Sequence, residues 1–215
     1  MSKERAAFFT LKDFDIHWIV QSLSLQGAVS VPLLSEAARL ELLQEASSYC
    51  HVDETGLVGT GDRIVKKEYS SFREFPKSSL YRSLTAEFQA LMDEALLTKA
   101  NYPFTTPLQF NSMVLQRYEP GQLGITPHRD RYSAINLVCI FNISGQGEFY
   151  LCGDRMGTNS FEVDTTPGNV IFLRAPGFLE SDERPFHYVT NIRSTRYSFG
   201  LRQRVSQSSW KVLLN

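Results

Sequence analysis

The sequence predicts one α+β domain that is mainly β, with a closed or sandwiched sheet and helices packed outside it. Apolar residues recur at helical spacing through most of the first hundred residues. From about residue 104 they change to short, strand-like runs separated by turn residues. We therefore expect a single domain over 1–215, with helical support and a lid region over about 1–103 and a β-rich core over about 104–205.

The composition is that of an ordinary globular protein, and it narrows the choice of partners. The 22 lysines and arginines balance 23 acidic residues, which argues against broad attraction to nucleic acid but leaves room for a local basic groove. Three cysteines without paired spacing argue against a disulfide framework. No run approaches the roughly 20 apolar residues of a membrane span, and no signal-peptide pattern is present. We therefore expect a cytoplasmic protein without a membrane partner.

Capping residues and periodicity predict three helices, the first of which contains Trp18 among its apolar residues. The expected N-caps and spans are Thr10 for 10–25, Ser35 for a helix ending near Tyr49, and Ser78 or Ser79 for a helix through about Ala100. A short strand over 27–31 separates the first two helices.

Residues 51–77 differ in character from the helices around them. Three glycines interrupt a polar stretch, and basic and aromatic residues are interleaved over 63–75. The strand, lysine and helix of a phosphate-binding loop are absent from this pattern. Two interpretations stay open: a loop that covers an active site or grips a nucleotide, and an ordinary surface hairpin.

The second half of the chain predicts seven strands, each bounded by glycine, proline or other turn residues. Their expected spans are 109–119, 135–143, 147–152, 160–163, 169–174, 187–191 and 195–204.

A His-x-Asp pair, His128 and Asp130, is the first candidate for chemistry. On an extended chain these two side chains point to the same side. Two histidines and one carboxylate with open positions form the preferred setting for non-haem Fe(II) that activates oxygen. The chain has four histidines, and His187 follows an apolar strand further along, whereas His17 is expected to be a surface or packing residue.

The last predicted strand places two arginines on one face, and they need an anionic partner if that face is buried. This face carries Arg196, Ser198, Gly200 and Arg202, and the opposite face carries Tyr197, Phe199 and Leu201. A bound dicarboxylate would supply the partner of Arg196, because a guanidinium binds a carboxylate through two hydrogen bonds. A salt bridge to Glu148 or Glu162 is the alternative.

Tyr118 ends the first strand of the β-rich core. By alternation it shares a face with Phe110, Ser112, Val114 and Gln116. Its hydroxyl could bind the same carboxylate as Arg196.

The order Tyr118, His128, Asp130, His187, Arg196, Ser198 resembles that of the Fe(II)/2-oxoglutarate-dependent dioxygenases, over about 104–204. The resemblance implies a double-stranded β-helix, also called a jelly roll and cupin-like. It implies Fe(II) held by His128, Asp130 and His187. It also implies 2-oxoglutarate as cosubstrate, held by Arg196 with Ser198 and Tyr118, together with O2 and stimulation by ascorbate.

Within that superfamily the sequence is most similar to the AlkB-like branch of nucleic-acid demethylases, notably in its closing pair Arg196 and Arg202. It departs from the AlkB pattern at Gln116 and Ser198, where that pattern has asparagine. It also departs after Asp130, where the AlkB pattern has acidic residues and this sequence has Arg131 and Tyr132. Gln116 is a further candidate cosubstrate contact. Arg202 could contact the cosubstrate, contact the substrate or hold Asp130.

The departures from AlkB and the neutral charge favour hydroxylation of a small-molecule substrate, with release of succinate and CO2. The alternative is an AlkB-like demethylase or hydroxylase of nucleic acid. Less favoured are a prolyl-hydroxylase-like protein hydroxylase and a non-catalytic jelly-roll binding module.

Overall fold

The computed structural model describes residues 7–98 and 101–206. Its helical elements are α1 (Ile16–Gln26), α2 (Glu36–Ser48) and α3 (Leu80–Leu97), with short 3-10 helices at Leu11–Asp13 and Gly61–Arg63.

The strands lie in two antiparallel sheets. The N-terminal part contributes β1 (Ala28–Pro32), β2 (Val52–Asp53), β3 (Gly56–Val58), β4 (Val65–Glu68) and β5 (Ser70–Phe72). The core contributes β6 (Ser112–Tyr118), β7 (Gly124–His128), β8 (Ala134–Ser144), β9 (Glu148–Cys152), β10 (Phe161–Val163), β11 (Asn169–Arg174), β12 (Phe186–Thr190) and β13 (Arg196–Arg204).

The two sheets have the strand order of a double-stranded β-helix, so the predicted fold class is confirmed. One sheet has seven strands in the order β1-β11-β8-β13-β6-β5-β2, and the other has six in the order β10-β9-β12-β7-β4-β3. Successive core strands mostly cross from one sheet to the other, as in jelly rolls. The resulting sandwich has an interior between the sheets and an outer face covered by the helices.

Each side of the seven-stranded sheet has its own apolar cluster. The helix side holds Tyr197, Phe199 and Leu201 of β13, which pack with residues of all three helices. The side between the sheets holds Val138 and Ile140 of β8, which pack with residues of β9, β11 and β12. Alternation along each strand produces this division, and it leaves the Arg196 face of β13 between the sheets, as predicted.

The first helix begins later than predicted. Thr10 precedes the 3-10 helix and makes no capping hydrogen bond with its side chain. Asp15 is the N-cap of α1 instead, because its carboxylate accepts hydrogen bonds from the backbone N–H groups of His17 and Trp18. Trp18 is exposed and does not join the core face of α1.

The other two helices begin where predicted. Ser35 caps α2 by accepting a hydrogen bond from Ala38 N, and Ser79 caps α3 by accepting one from Tyr81 N. The helix α3 ends at Leu97, and residues 99 and 100, to which the prediction extended it, lie outside the described residues.

Residues 51–77 form sheet rather than a detached loop or an isolated hairpin. The strand β5 pairs with β6 in the seven-stranded sheet, and β4 pairs with β7 in the six-stranded sheet. The segment therefore extends one edge of each sheet, next to β6 and next to β7, and forms a wall of the space between the sheets. The strand β7, which ends at His128, was also not predicted.

Within the described ranges, no helix combines the length and the apolar character needed to cross a membrane. All three cysteines are free thiols, and Cys139 is buried, as expected of a structural residue. Cys152 is only partly buried, and its thiol donates a hydrogen bond to the carbonyl of Asp154.

Candidate active site

Two of the predicted metal ligands face each other across paired strands. His128 ends β7 and lies directly opposite His187 of β12 in the antiparallel register, with ring centroids 4.3 Å apart. His187 is 4% exposed, and Phe149 of β9 stacks on its ring at 5.4 Å. The pairing of β7 with β12 therefore brings together two histidines that are 59 positions apart in the chain.

Backbone carbonyls determine which nitrogen of each imidazole is available. The Nδ1 atom of His128 lies 2.9 Å from the carbonyl oxygen of Thr126, and that of His187 lies 3.2 Å from the carbonyl oxygen of Pro185. A carbonyl only accepts hydrogen bonds, so Nδ1 carries the proton in each neutral ring. Each Nε2 is then an unprotonated donor of the kind that metal ions bind.

Asp130 follows β7 and lies against Arg202 of β13. The Arg202 Nε atom is 3.4 Å from Asp130 Oδ1, an ion pair without hydrogen-bond geometry. The backbone carbonyl of Asp130 also accepts a hydrogen bond from Arg184. Of the three roles left open for Arg202, the structure therefore shows contact with Asp130.

The protonation states of these three side chains suit metal binding. Burial, reinforced by the neighbouring His187, lowers the pKa of His128 to about 3, and burial also lowers the pKa of His187. Burial opposes ionisation of Asp130, but Arg202 and the two histidines outweigh it and lower the pKa of this carboxyl to about 2. Neutral imidazoles and an ionised carboxylate are the forms that bind a cation.

The three side chains are not already arranged as a metal cage. In residues 7–98 and 101–206, no group of three or more His, Cys, Asp or Glu side chains is placed to hold a metal ion. The carboxylate is held by Arg202, but Asp130 Oδ2 is buried and has no hydrogen-bond partner. An orphaned buried carboxylate oxygen is a suitable ligand for a cation, as are the Nε2 atoms of the two histidines, and Fe(II) ligation by this set stays a prediction.

Arg196 lies in the interior between the sheets and is only 2% exposed. Its Nη2 atom donates a 2.7 Å hydrogen bond to Asn142 Oδ1 of β8. The alternative of a salt bridge to Glu148 is not found, since Glu148 bonds with Tyr150 and Asn191 and lies 4.0 Å from Arg193. Glu162 likewise forms no ion pair with Arg196 among the described residues. The guanidinium is thus buried, and no carboxylate in the described part of the chain pairs with it.

The register of β6 and β13 places the other predicted cosubstrate residues beside Arg196. Tyr118 is opposite Arg196, with the guanidinium carbon 5.4 Å from the ring centroid, and Gln116 is opposite Ser198. Burial raises the pKa of Tyr118, so its hydroxyl keeps its proton and can donate a hydrogen bond. Phe110 was expected on this face, but it precedes β6 and packs on Phe88 at the helix side.

A cleft of about 510 Å³ opens beside the metal-ligand candidates. Gln116, His128, Asp130 and Arg202 line it, and residues 54–73 form one of its walls. Arg129 and Arg131 alternate with the ligand candidates along the chain, a pattern that predicts a solvent-exposed face turned away from the metal. Both are exposed, but they lie on the rim of this same cleft.

The remaining histidines lie elsewhere. His17 is exposed on α1, and His51 is partly buried against Tyr197 on the helix side of the sheet. Sequence reasoning missed Asn142, the acceptor for Arg196, and Phe149, which stacks on His187. The signal for Asn142 is a lone amide inside an otherwise apolar run, but nothing local indicates its partner.

No protein-family model and no curated protein sequence matches this chain. Solved structures do match in fold. A prolyl hydroxylase from Trichoplax adhaerens, in complex with a peptide fragment of the hypoxia inducible factor oxygen degradation domain, is 14% identical with a TM-score of 0.66, covering 93% of this chain and 92% of that one.

Two further structures are similar. A 2OG-Fe(II) oxygenase family oxidoreductase from Burkholderia pseudomallei is 12% identical with a TM-score of 0.56, covering 94% of this chain and 100% of its own. The viral collagen prolyl hydroxylase of Paramecium Bursaria Chlorella virus-1, in complex with 2OG, is 13% identical with a TM-score of 0.55, covering 84% and 97%. The chain thus has the fold of 2-oxoglutarate/Fe(II) oxygenases, and this likeness does not single out the AlkB-like branch.

Proposed function

We propose that this protein is an Fe(II)- and 2-oxoglutarate-dependent dioxygenase that hydroxylates a small molecule and releases succinate and CO2. The observation that carries the proposal is Arg196, a buried guanidinium without a carboxylate partner in the described part of the chain. Burying a charge in this way is costly unless a ligand pairs with it. A dicarboxylate cosubstrate supplies that partner.

The metal would be held by the Nε2 atoms of His128 and His187 and by the carboxylate of Asp130. Fe(II), when bound with 2-oxoglutarate and O2, supplies the oxidising power that inserts oxygen into a C–H bond of the substrate. The backbone carbonyls of Thr126 and Pro185 keep the imidazoles in the ligating tautomer. Arg202 favours the ionised form of Asp130.

The far carboxylate of 2-oxoglutarate would be held by Arg196, with Tyr118 and Ser198 beside it. Asn142 positions one guanidinium nitrogen, and the remaining N–H groups are available for two parallel hydrogen bonds to a carboxylate. The apolar cluster between the sheets excludes water, which strengthens this pairing.

The open cleft is where the substrate would lie. Its volume of about 510 Å³ is within the usual range for small-molecule sites, which supports the small-molecule substrate. The basic residues on its rim favour a second candidate, a nucleic acid. Among the described residues that line the cleft, however, Tyr69 is the only Phe, Tyr or Trp, and it is buried, while His128 is a metal-ligand candidate. Recognition of an unstacked base generally uses exposed aromatic rings, so the nucleic-acid candidate has less support.

Anaerobic titration with Fe(II) and 2-oxoglutarate tests the proposal through the weak visible charge-transfer band of the chelated cosubstrate. We expect the wild type to develop the band and His128→Ala to lose it. The matched control is His17→Ala, which removes an exposed histidine of α1 and should keep the band. The proposal is wrong if the wild type shows no band or if the band persists in His128→Ala.

A further inference from the structure

We infer that the substrate is a compact polyanion, a small molecule with at least two carboxylate or phosphate groups held by arginines around the cleft. This inference rests on the proposed function and names the class of its substrate. The arginines concerned lie at the mouth of the cleft. They are distinct from Arg196, which is buried between the sheets and does not line the cleft.

The charge of the cleft differs from that of the whole chain. Among the residues that the structure describes, eight lysine or arginine side chains line it, against two acidic ones. The chain as a whole contains 22 basic and 23 acidic residues. More than a third of its basic residues therefore surround one cleft. A concave surface lined by one sign of charge concentrates ligands of the opposite sign.

The two acidic residues neutralise only part of this charge. Glu54 pairs with Lys67 at 2.6 Å and with Arg73 at 3.3 Å, and Asp130 pairs with Arg202 at 3.4 Å. The other five cations of the cleft form no ion pair with a carboxylate in the described ranges. These five are Arg63, Arg129, Arg131, Arg155 and Arg204.

Four of the five arginines lie near another arginine of the cleft. Arg129 and Arg155 both lie over the ring of Phe186, at 4.1 and 5.6 Å, and Arg155 Nη1 is buried without a hydrogen-bond partner. Burial and the nearby charges of Arg202, Arg131 and Arg73 lower the pKa of Arg204, although Asp130 opposes them. Like charges held this close destabilise the free protein, and a bound anion relieves the repulsion.

The distribution of the arginines favours a compact ligand over a polymer. They come from the 3-10 helix at Gly61–Arg63, the β7–β8 turn, the β9–β10 loop and the end of β13, and they converge on about 510 Å³. A groove for a nucleic-acid strand arranges its charges along the backbone and adds aromatic rings for stacking. Guanidinium groups converging from several sides instead match two or more carboxylates or phosphates on one small molecule.

Isothermal titration calorimetry on the iron-free, full-length protein tests this inference, with citrate and tripolyphosphate as probes of the two anionic chemistries. We expect at least one probe to bind, with an affinity that falls as salt is raised.

The double variant Arg131→Gln/Arg204→Gln changes two exposed side chains and should fold normally. It should weaken that binding at least tenfold, because it removes two positive charges from the cleft. Arg196 stays intact, so the loss would be due to the cleft alone. Arg193→Gln, at an exposed arginine outside the cleft, is the matched control and should bind like the wild type.

The outcomes separate this inference from the proposed function. If neither probe binds, or if the double variant binds as the wild type does, the inference is overturned. It is also overturned if only a decaglutamate peptide or only a thymidine decanucleotide binds, since each would indicate a polymer. A charge-transfer band without probe binding would leave the dioxygenase proposal standing. Probe binding without the band would support the anion site and overturn the dioxygenase proposal.

Discussion

Arg196 shows most directly how a buried charge indicates a ligand. Its backbone position on β13 points the side chain between the sheets, and the only acceptor that the described residues provide is the neutral amide of Asn142. An amide oxygen offsets a small part of the cost of burying a guanidinium. The rest of this desolvation free energy would be offset by an anion bound at the site in the functional protein.

Replacing Arg196 with alanine should weaken 2-oxoglutarate binding about 30-fold or more, because removing one member of a buried charge pair costs about 2–5 kcal/mol. The measurement is the KM for 2-oxoglutarate in succinate formation without added substrate. Arg193→Ala, an exposed arginine near the start of the same strand, is the control and should keep the wild-type KM. An unchanged KM in Arg196→Ala would contradict the role assigned to this residue.

His128 and Asp130 belong to the same short motif, but their surroundings differ. His128 is anchored by strand pairing, whereas Asp130 lies beyond the end of β7 and its carboxylate is drawn to Arg202. The position of this carboxylate therefore depends on a residue 72 positions further along the chain.

At the scale of elements, β13 organises the site. It pairs with β6 on one side and with β8 on the other, so Tyr118, Ser198 and Asn142 all lie beside Arg196. The turn after β8 passes close to the first residue of β13. Gly145, with φ of 82°, lies against the backbone of Thr195 and Arg196, and a Cβ there would overlap both.

Gly145→Ala should therefore be more damaging than the same change at Gly121, which has the same φ of 82° and open space around its Cβ position. Both variants strain the backbone, by about 1–2 kcal/mol. Only Gly145→Ala adds a clash with the backbone, which we expect to cost about 1–3 kcal/mol more. Urea denaturation measures the difference, and equal free energies of unfolding for the two variants would show that the close approach is unimportant.

Contacts within the segment from β2 to β5 are centred on Glu54. Its carboxylate accepts hydrogen bonds from Lys67, Ser71 and Arg73, and these partners, with Lys67 foremost, lower its pKa to about 2. This network stabilises the wall that the segment adds to the cleft.

Glu54 should make the stability of the protein depend on acid pH. Because its folded-state pKa is lowered from 4.5, its contribution is complete above about pH 4.5 and is lost as the pH falls toward about 2. The Glu54 side chain is 25% exposed, so with solvent screening allowed for we expect the wild type to lose about 1–3 kcal/mol more unfolding free energy over this range than Glu54→Gln loses. Denaturation at several pH values tests this, with Glu74→Gln, an exposed glutamate, expected to follow the wild type. Parallel curves for the wild type and Glu54→Gln would contradict it.

At the scale of the whole molecule, the sandwich has one apolar side and one partly polar side. The helices close the outer face of the seven-stranded sheet around an apolar cluster. The interior between the sheets holds His187, Arg196 and Ser198 among apolar residues. Buried polar groups without full pairing lower the stability of the unliganded protein, so binding of the metal and the cosubstrate should stabilise the whole domain.

Anaerobic addition of Fe(II) with 2-oxoglutarate should raise the free energy of unfolding by about 2.7 kcal/mol when the free ligand is 100 times its Kd. Excess EDTA should reverse the increase. Thermal denaturation provides the measurement, and His128→Ala should show little change on the same additions. If the ligands do not raise the Tm of the wild type, the interior site does not bind them.

Much of the architecture could be predicted because it depends on local patterns. Ser35 and Ser79 cap helices as expected, since a capping hydrogen bond joins residues two or three apart. Alternation along β13 separated Arg196 from Tyr197 correctly, because side chains on a strand alternate whatever its neighbours are. The first helix was misplaced because Asp15 competes with Thr10 as a cap and makes the better hydrogen bonds.

The sequence by itself therefore determined the fold class and the faces of the last strand, and it predicted a set of candidate residues for a metal and a dicarboxylate. Tertiary structure alone decided that His128 and His187 face each other, that Asn142 meets Arg196, and that residues 51–77 join both sheets. It also gathered arginines from four separate elements around one cleft of a nearly neutral chain. The reason is that strand pairing between distant segments sets these contacts, and no local pattern records which strands will pair.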